Sequence, residues 1–84
     1  MSSVRFGGCV FRIYPEDHEP RHVHGEYGGA EVVVDLRADR TVALADRADR
    51  VKPRNAKIND VRKVLKAAAD HFDELVAEWE KMHS

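Results

Sequence analysis

Apolar and polar residues alternate along the first half of the chain and switch to a three–four spacing after Ile58, so the sequence reads as strands followed by a helix. Val4 to Phe6 and Cys9 to Tyr14 are two extended pieces around Gly7-Gly8. In the second piece Cys9, Phe11 and Ile13 alternate with Val10, Arg12 and Tyr14. Pro15 ends it, because proline has no N–H to give a ladder. The polar stretch 15–21, with Pro20 inside it, reads as a loop.

His22 to Tyr27 and Ala30 to Leu36 form a hairpin pattern around Gly28-Gly29, a pair free to adopt positive φ. A two-residue turn there pairs Tyr27 with Ala30, Glu26 with Glu31, Gly25 with Val32, His24 with Val33, Val23 with Val34 and His22 with Asp35. Val23, Tyr27, Ala30, Val32, Val34 and Leu36 then share the core face. His22, His24, Glu26, Glu31, Val33 and Asp35 share the other, which is expected to be polar and exposed. Glu26 opposite Glu31 is a like-charge pair that calls for a cation or a partner nearby.

Thr41 to Leu44 reads as one more short strand, and 45–57 as a charged, irregular connection. Ala-Asp-Arg recurs at 38–40, 45–47 and 48–50, at unequal spacing, which is compositional bias and not a solenoid. Ile58, Val61, Leu65, Ala68, Phe72, Leu75, Trp79 and Met82 then fall on one helix face. The predicted helix spans about residues 60 to 82, capped by Asn59 or Asn55, and is roughly 34 Å long, so one end is expected to overhang the sheet. Its charges oppose the macrodipole: Arg62, Lys63 and Lys66 come first, and Asp70, Asp73, Glu74, Glu78 and Glu80 come last. The acidic row is expected to face the basic segment of the same chain. The predicted fold is α+β in one domain over 1–84: a small antiparallel sheet of three to five strands within 4–44, with one long C-terminal helix packed on its apolar face.

Composition narrows the class. With 84 residues, 43% hydrophobic and 35% charged, the chain has the balance of one small globular domain. No apolar run approaches the ~18 residues of a membrane span and no signal-peptide pattern opens the chain, so a cytoplasmic location and no membrane partner are expected. The single cysteine, Cys9, permits no intrachain disulfide and reads as a core residue. A net charge of −1 conceals three blocks: net −3 over 1–36, +6 over 37–66 and −4 over 67–84. The basic block makes nucleic acid a candidate partner through Arg47, Arg50, Lys52, Arg54 and Lys57.

Candidate chemistry concentrates in Asp17-His18-Glu19-Pro20-Arg21-His22-Val23-His24, three histidines within seven residues. His22 and His24 project from one strand face about 7 Å apart at their roots. With His18 and Asp17 they form a candidate metal set suited to zinc or a similar divalent ion, although no cofactor is required by the sequence. Glu26 or Asp35 can add an oxygen ligand or orient a ring. Alternatively, His22 and His24 act as general acid and base on a phosphodiester, with Arg21 or another arginine holding phosphate. The plainest reading pairs His22 with Asp35 across the hairpin and makes His71 and His83 ordinary surface residues. Trp79 reads as a core anchor, and Tyr14 and Tyr27 as packing residues.

The same histidine segment, the strand through Val32-Val33-Val34, Val61-Arg62-Lys63-Val64-Leu65 and Glu74-Leu75-Val76-Ala77-Glu78-Trp79 together resemble a small bacterial family known as domain of unknown function 4160. The resemblance covers nearly the whole chain. The family motif has a second proline where this chain has Arg21, and the Arg/Asp-rich stretch 39–57 carries little of the family pattern. The resemblance implies a compact α+β fold and, from the company such genes keep, one member of a toxin–antitoxin-like pair. It supplies no reaction.

Two functions are therefore expected. The first is a small interaction protein docking through a polar sheet face made of His22, His24, Glu26, Glu31 and Asp35. The second is an enzyme, either a histidine-dependent ribonuclease or a metal-dependent hydrolase, built on His22 and His24.

Overall fold

Two glycine pairs turn the chain through its first four strands. In the computed structural model, which describes residues 1–84, β1 (Ser2–Phe6) and β2 (Cys9–Ile13) are joined through Gly7-Gly8. β3 (His22–Tyr27) and β4 (Ala30–Leu36) are joined through Gly28-Gly29, at φ 58° and 84°. Both positive values match a turn whose twist follows that of the strands. All the pairs expected from that turn are present, from Tyr27–Ala30 to His22–Asp35.

The antiparallel sheet runs β1-β2-β3-β4-β5, with β5 covering Val42–Leu44. A sixth strand, β6 (Val51–Lys52), also pairs with β4. β5 takes residues Val34 to Leu36 of β4, and β6 takes Glu31 and Val32. The sheet is thus larger than the three to five strands expected. Two residues inside a charged connection are too few to show a period of two, so β6 left no signal in the sequence.

The C-terminal third is two helices, not one: α1 (Ile58–Asp70) and α2 (Phe72–His83). The break falls at His71, whose backbone leaves the helical region at φ −119°, ψ 32° and whose ring stacks on Phe6 at 4.3 Å. An unbroken helix over 58–83 would be about 39 Å long at 1.5 Å per residue. The molecule's greatest extent is 35 Å. The expected overhang is therefore replaced by a change of direction. Neither Asn59 nor Asn55 caps α1; Lys57 occupies that position without a side-chain bond.

One hydrophobic cluster joins Cys9, Phe11, Ile13, Val23, Val32 and Val34 of the sheet to Val61, Val64, Ala68, Phe72, Leu75 and Trp79 of the helices. Gly25 shows how close the layers lie. A Cβ at that position would fall 2.4 Å from Cγ1 of Val64 and 2.9 Å from Cε1 of Phe11. Cys9 is fully buried, and burial pushes its thiol pKa up, partly opposed by Lys63. The acidic helix row meets the basic segment 37–57 at only one ion pair, Arg40 with Asp73 at 2.9 Å, and both side chains are exposed. No helix is long and apolar enough to cross a membrane.

Candidate functional site

Strand alternation puts His22 and His24 on the side of β3 opposite Val23 and Gly25, as the hairpin register requires. That side is not open to solvent here. His22 is 8% exposed, and Val33, opposite His24 on β4, is 2% exposed. The expectation of an exposed histidine face is corrected on this point. The cause is the segment between β2 and β3, which turns at Tyr14, whose carbonyl accepts from the Asp17 N–H at 3.2 Å, and brings Asp17 onto both rings.

The far end of the chain holds that segment down. His83 sets Nε2 2.8 Å from the Asp17 carbonyl and Nδ1 2.8 Å from the Trp79 carbonyl. Carbonyl oxygens only accept, so the ring carries both protons when both bonds are made. The same ring stacks on Trp79 at 3.7 Å, and Trp79 in turn lies 5.5 Å from the His22 ring.

Oδ2 of Asp17 is shared. It lies 3.1 Å from Nε2 of His24 and 3.2 Å from Nε2 of His22. The first contact is a hydrogen bond. The second is not aligned as one, which leaves Nε2 of His22 buried without a hydrogen-bond partner. Nδ1 of His22 donates to the Pro20 carbonyl at 2.9 Å, so in the neutral ring Nε2 carries the lone pair. Nδ1 of His24 lies 3.8 Å from Oε2 of Glu31, and Tyr14 meets that ring edge-on at 5.0 Å. Both imidazoles therefore turn Nε2 toward one carboxylate oxygen while an oxygen stands behind Nδ1. Metal-ligating histidines are commonly backed in this way by a carbonyl or carboxylate.

Asp17, His22 and His24 each offer a ligand atom, and the three atoms lie within 4.8 Å of one another. Ligands about 2.0–2.1 Å from a tetrahedral zinc ion stand roughly 3.3 Å apart. The two carboxylate–imidazole separations, 3.1 and 3.2 Å, are close to that spacing, and the two imidazole nitrogens lie within 4.8 Å of each other. An open cavity beside His22 carries five carboxylates, those of Glu16, Asp17, Glu19, Asp35 and Asp46, against one arginine, Arg47.

The other candidates fall elsewhere. His18 is exposed and lines this cavity without joining the ligand group. Arg21 donates to the carbonyls of Leu36 and Arg37 and lies over the Phe72 ring, so its guanidinium is engaged at the end of β4. Asp35 faces His22 in register and borders the cavity, but the polar contacts of His22 are with Asp17 and Pro20. Glu26 pairs with Arg12 at 3.6 Å; Lys52 of β6 stands opposite Glu31 in register, but its ammonium lies beside Asp49 at 3.9 Å. Arg47 borders both this cavity and a second groove, which Arg50, Lys52 and Arg54 also line, and Lys57 precedes α1.

Tyr14 and His83 are contacts the sequence reading did not assign to the site. His83 had one usable signal, its i,i+4 relation to Trp79 on a helix. Tyr14 had none.

The family model described as Domain of unknown function (DUF4160) matches residues 8–80. No curated protein and no solved structure matches the chain.

Proposed function

We propose that this chain, which belongs to the DUF4160 family, binds one divalent metal ion through Asp17, His22 and His24 and acts as a metal-dependent hydrolase. The observation that carries the reading is Nε2 of His22: buried, without a hydrogen-bond partner, and 3.2 Å from a carboxylate oxygen already shared with His24. Two lone-pair donors at that distance repel unless a proton or a metal ion lies between them, and a cation removes the cost of the unpaired buried atom. Three protein ligands leave a coordination position free, as in zinc sites that activate water.

The surroundings favour this over the ribonuclease alternative. Five carboxylates around the cavity repel a polyanion, and Arg21, which would hold phosphate, is engaged by main-chain carbonyls. A docking role, as one member of a toxin–antitoxin-like pair, would need another surface, since His22 and His24 are turned inward.

Isothermal titration with zinc tests the binding step. Wild type should take up one equivalent with proton release, and Asp17→Asn and His22→Gln should each weaken binding by about 10–100-fold. Equal heats from all three proteins would remove the proposal. Hydrolysis is then tested with the zinc-loaded protein on ester and amide probe substrates; turnover insensitive to His22→Gln would contradict the enzymatic part.

A further inference from the structure

A second concave surface adjoins the histidine cavity at Asp46 and Arg47 and lies between the end of β5, the segment 46–56 and the start of α1. Its apolar lining is Leu44, Ala48, Val51, Ala56, Ile58 and Val61. Leu44, Val51 and Ala56 pack partly against the main core, so the groove is an opening onto that core. Ile58 is the exception on the helix stripe: it is 61% exposed, and apart from Met1 it is the one large hydrophobic residue left so open.

The polar lining is mostly basic: Arg47, Arg50, Lys52 and Arg54, against Asp46 and Asp49. Asp49 is neutralised locally, since Arg47 Nη2 donates to it at 2.9 Å and Lys52 Nζ stands 3.9 Å away. Arg50 and Arg54 have no carboxylate within 4.0 Å, so their charge is directed at whatever enters the groove.

We infer that this groove docks a short acidic segment of a partner protein, seating aliphatic side chains against Ile58 and Val51 and carboxylates against Arg50 and Arg54. One feature favours a peptide over a nucleic acid: the apolar lining holds no aromatic ring on which a base can stack. The chain's own acidic helix does not supply the occupant, because the apolar residues Phe72, Leu75 and Trp79 of α2 are already buried.

The probe is a fluorescein-labelled dodecapeptide of glutamate and leucine, followed by polarisation. Controls are the same peptide with serine for leucine and a 12-nucleotide single-stranded RNA. The leucine peptide should saturate, with the serine peptide and the RNA at least about tenfold weaker. Ile58→Ser, at an exposed position, and Arg50→Glu with Arg54→Glu should each raise the half-saturation concentration about tenfold. The charge-reversed protein uses only exposed residues, so the two tests do not share a folding risk. Failure of the leucine peptide to bind, RNA binding as tight, or binding indifferent to Ile58→Ser would overturn the inference. Self-association abolished by Ile58→Ser would assign the groove to a second copy and overturn it as well. The zinc titration is independent of each outcome.

Discussion

His83 Nε2 lies 2.8 Å from the main-chain carbonyl of Asp17, joining the last turn of the chain to the loop that covers β3 across 66 residues of sequence. The carboxylate of Asp17 touches both His22 and His24, so the C-terminus positions the candidate metal site without contributing a ligand.

That linkage predicts the behaviour of His83→Ala. One hydrogen bond disappears from the neutral ring, worth about 1 kcal/mol, and two from the doubly protonated ring. Hydrogen exchange at the amides of residues 16–19 should quicken, and zinc affinity should fall about tenfold while the hairpin register persists. Unchanged exchange in that segment would show that the loop is held by something else.

Gly25 yields a packing prediction. Gly25→Ala places a methyl 2.4 Å from Val64 Cγ1, an overlap that backbone or side chain must relieve. Destabilisation of about 1–3 kcal/mol is expected in urea unfolding, and Val64→Ala should recover part of it in the double variant. Strict additivity of the two changes would contradict the close approach of β3 and α1.

These residues also mark what the sequence discloses. The β3–β4 register was legible because two adjacent glycines allow a turn that fixes every later pair. The face assignment followed from alternation, and it was right about which residues lie together. It failed on exposure, because the cover over His22 and His24 comes from Asp17, Tyr14 and His83, and no local periodicity encodes a contact across 66 residues. The break at His71 was hidden for a related reason. The apolar stripe continues through it, and only the meeting of His71 with Phe6 of β1 marks the change of direction. The site was legible as a set of residue types and not as a geometry. His18 was a candidate ligand in sequence, though a loop residue apart from the strand pair, and it lies outside the ligand group.

Acid should act partly through Glu78. A hydrogen bond from Ser2 Oγ at 2.8 Å, and then Lys81 Nζ at 3.2 Å, hold its carboxyl below the usual carboxylate range. A carboxyl whose pKa is lower in the folded state stabilises fully above its unfolded value, near about 4.3. It loses that contribution as pH falls through the folded value. Urea midpoints taken from about pH 6 down to about pH 3 should therefore decline more steeply for wild type than for Glu78→Gln. Parallel declines would show that the tie between β1 and α2 does not depend on the ionised group.

The central claim is that Nε2 of His22 and Nε2 of His24, with Asp17, hold one metal ion. Long-range proton–nitrogen correlation spectra of the imidazoles, recorded without zinc and with one equivalent, address those atoms directly. The account predicts that both Nε2 resonances move to metal-bound positions, that in the zinc-bound form each ring carries its proton on Nδ1, and that the His18 ring is unchanged. Coordination through Nδ1, a shift confined to His18, or spectra indifferent to zinc would contradict it.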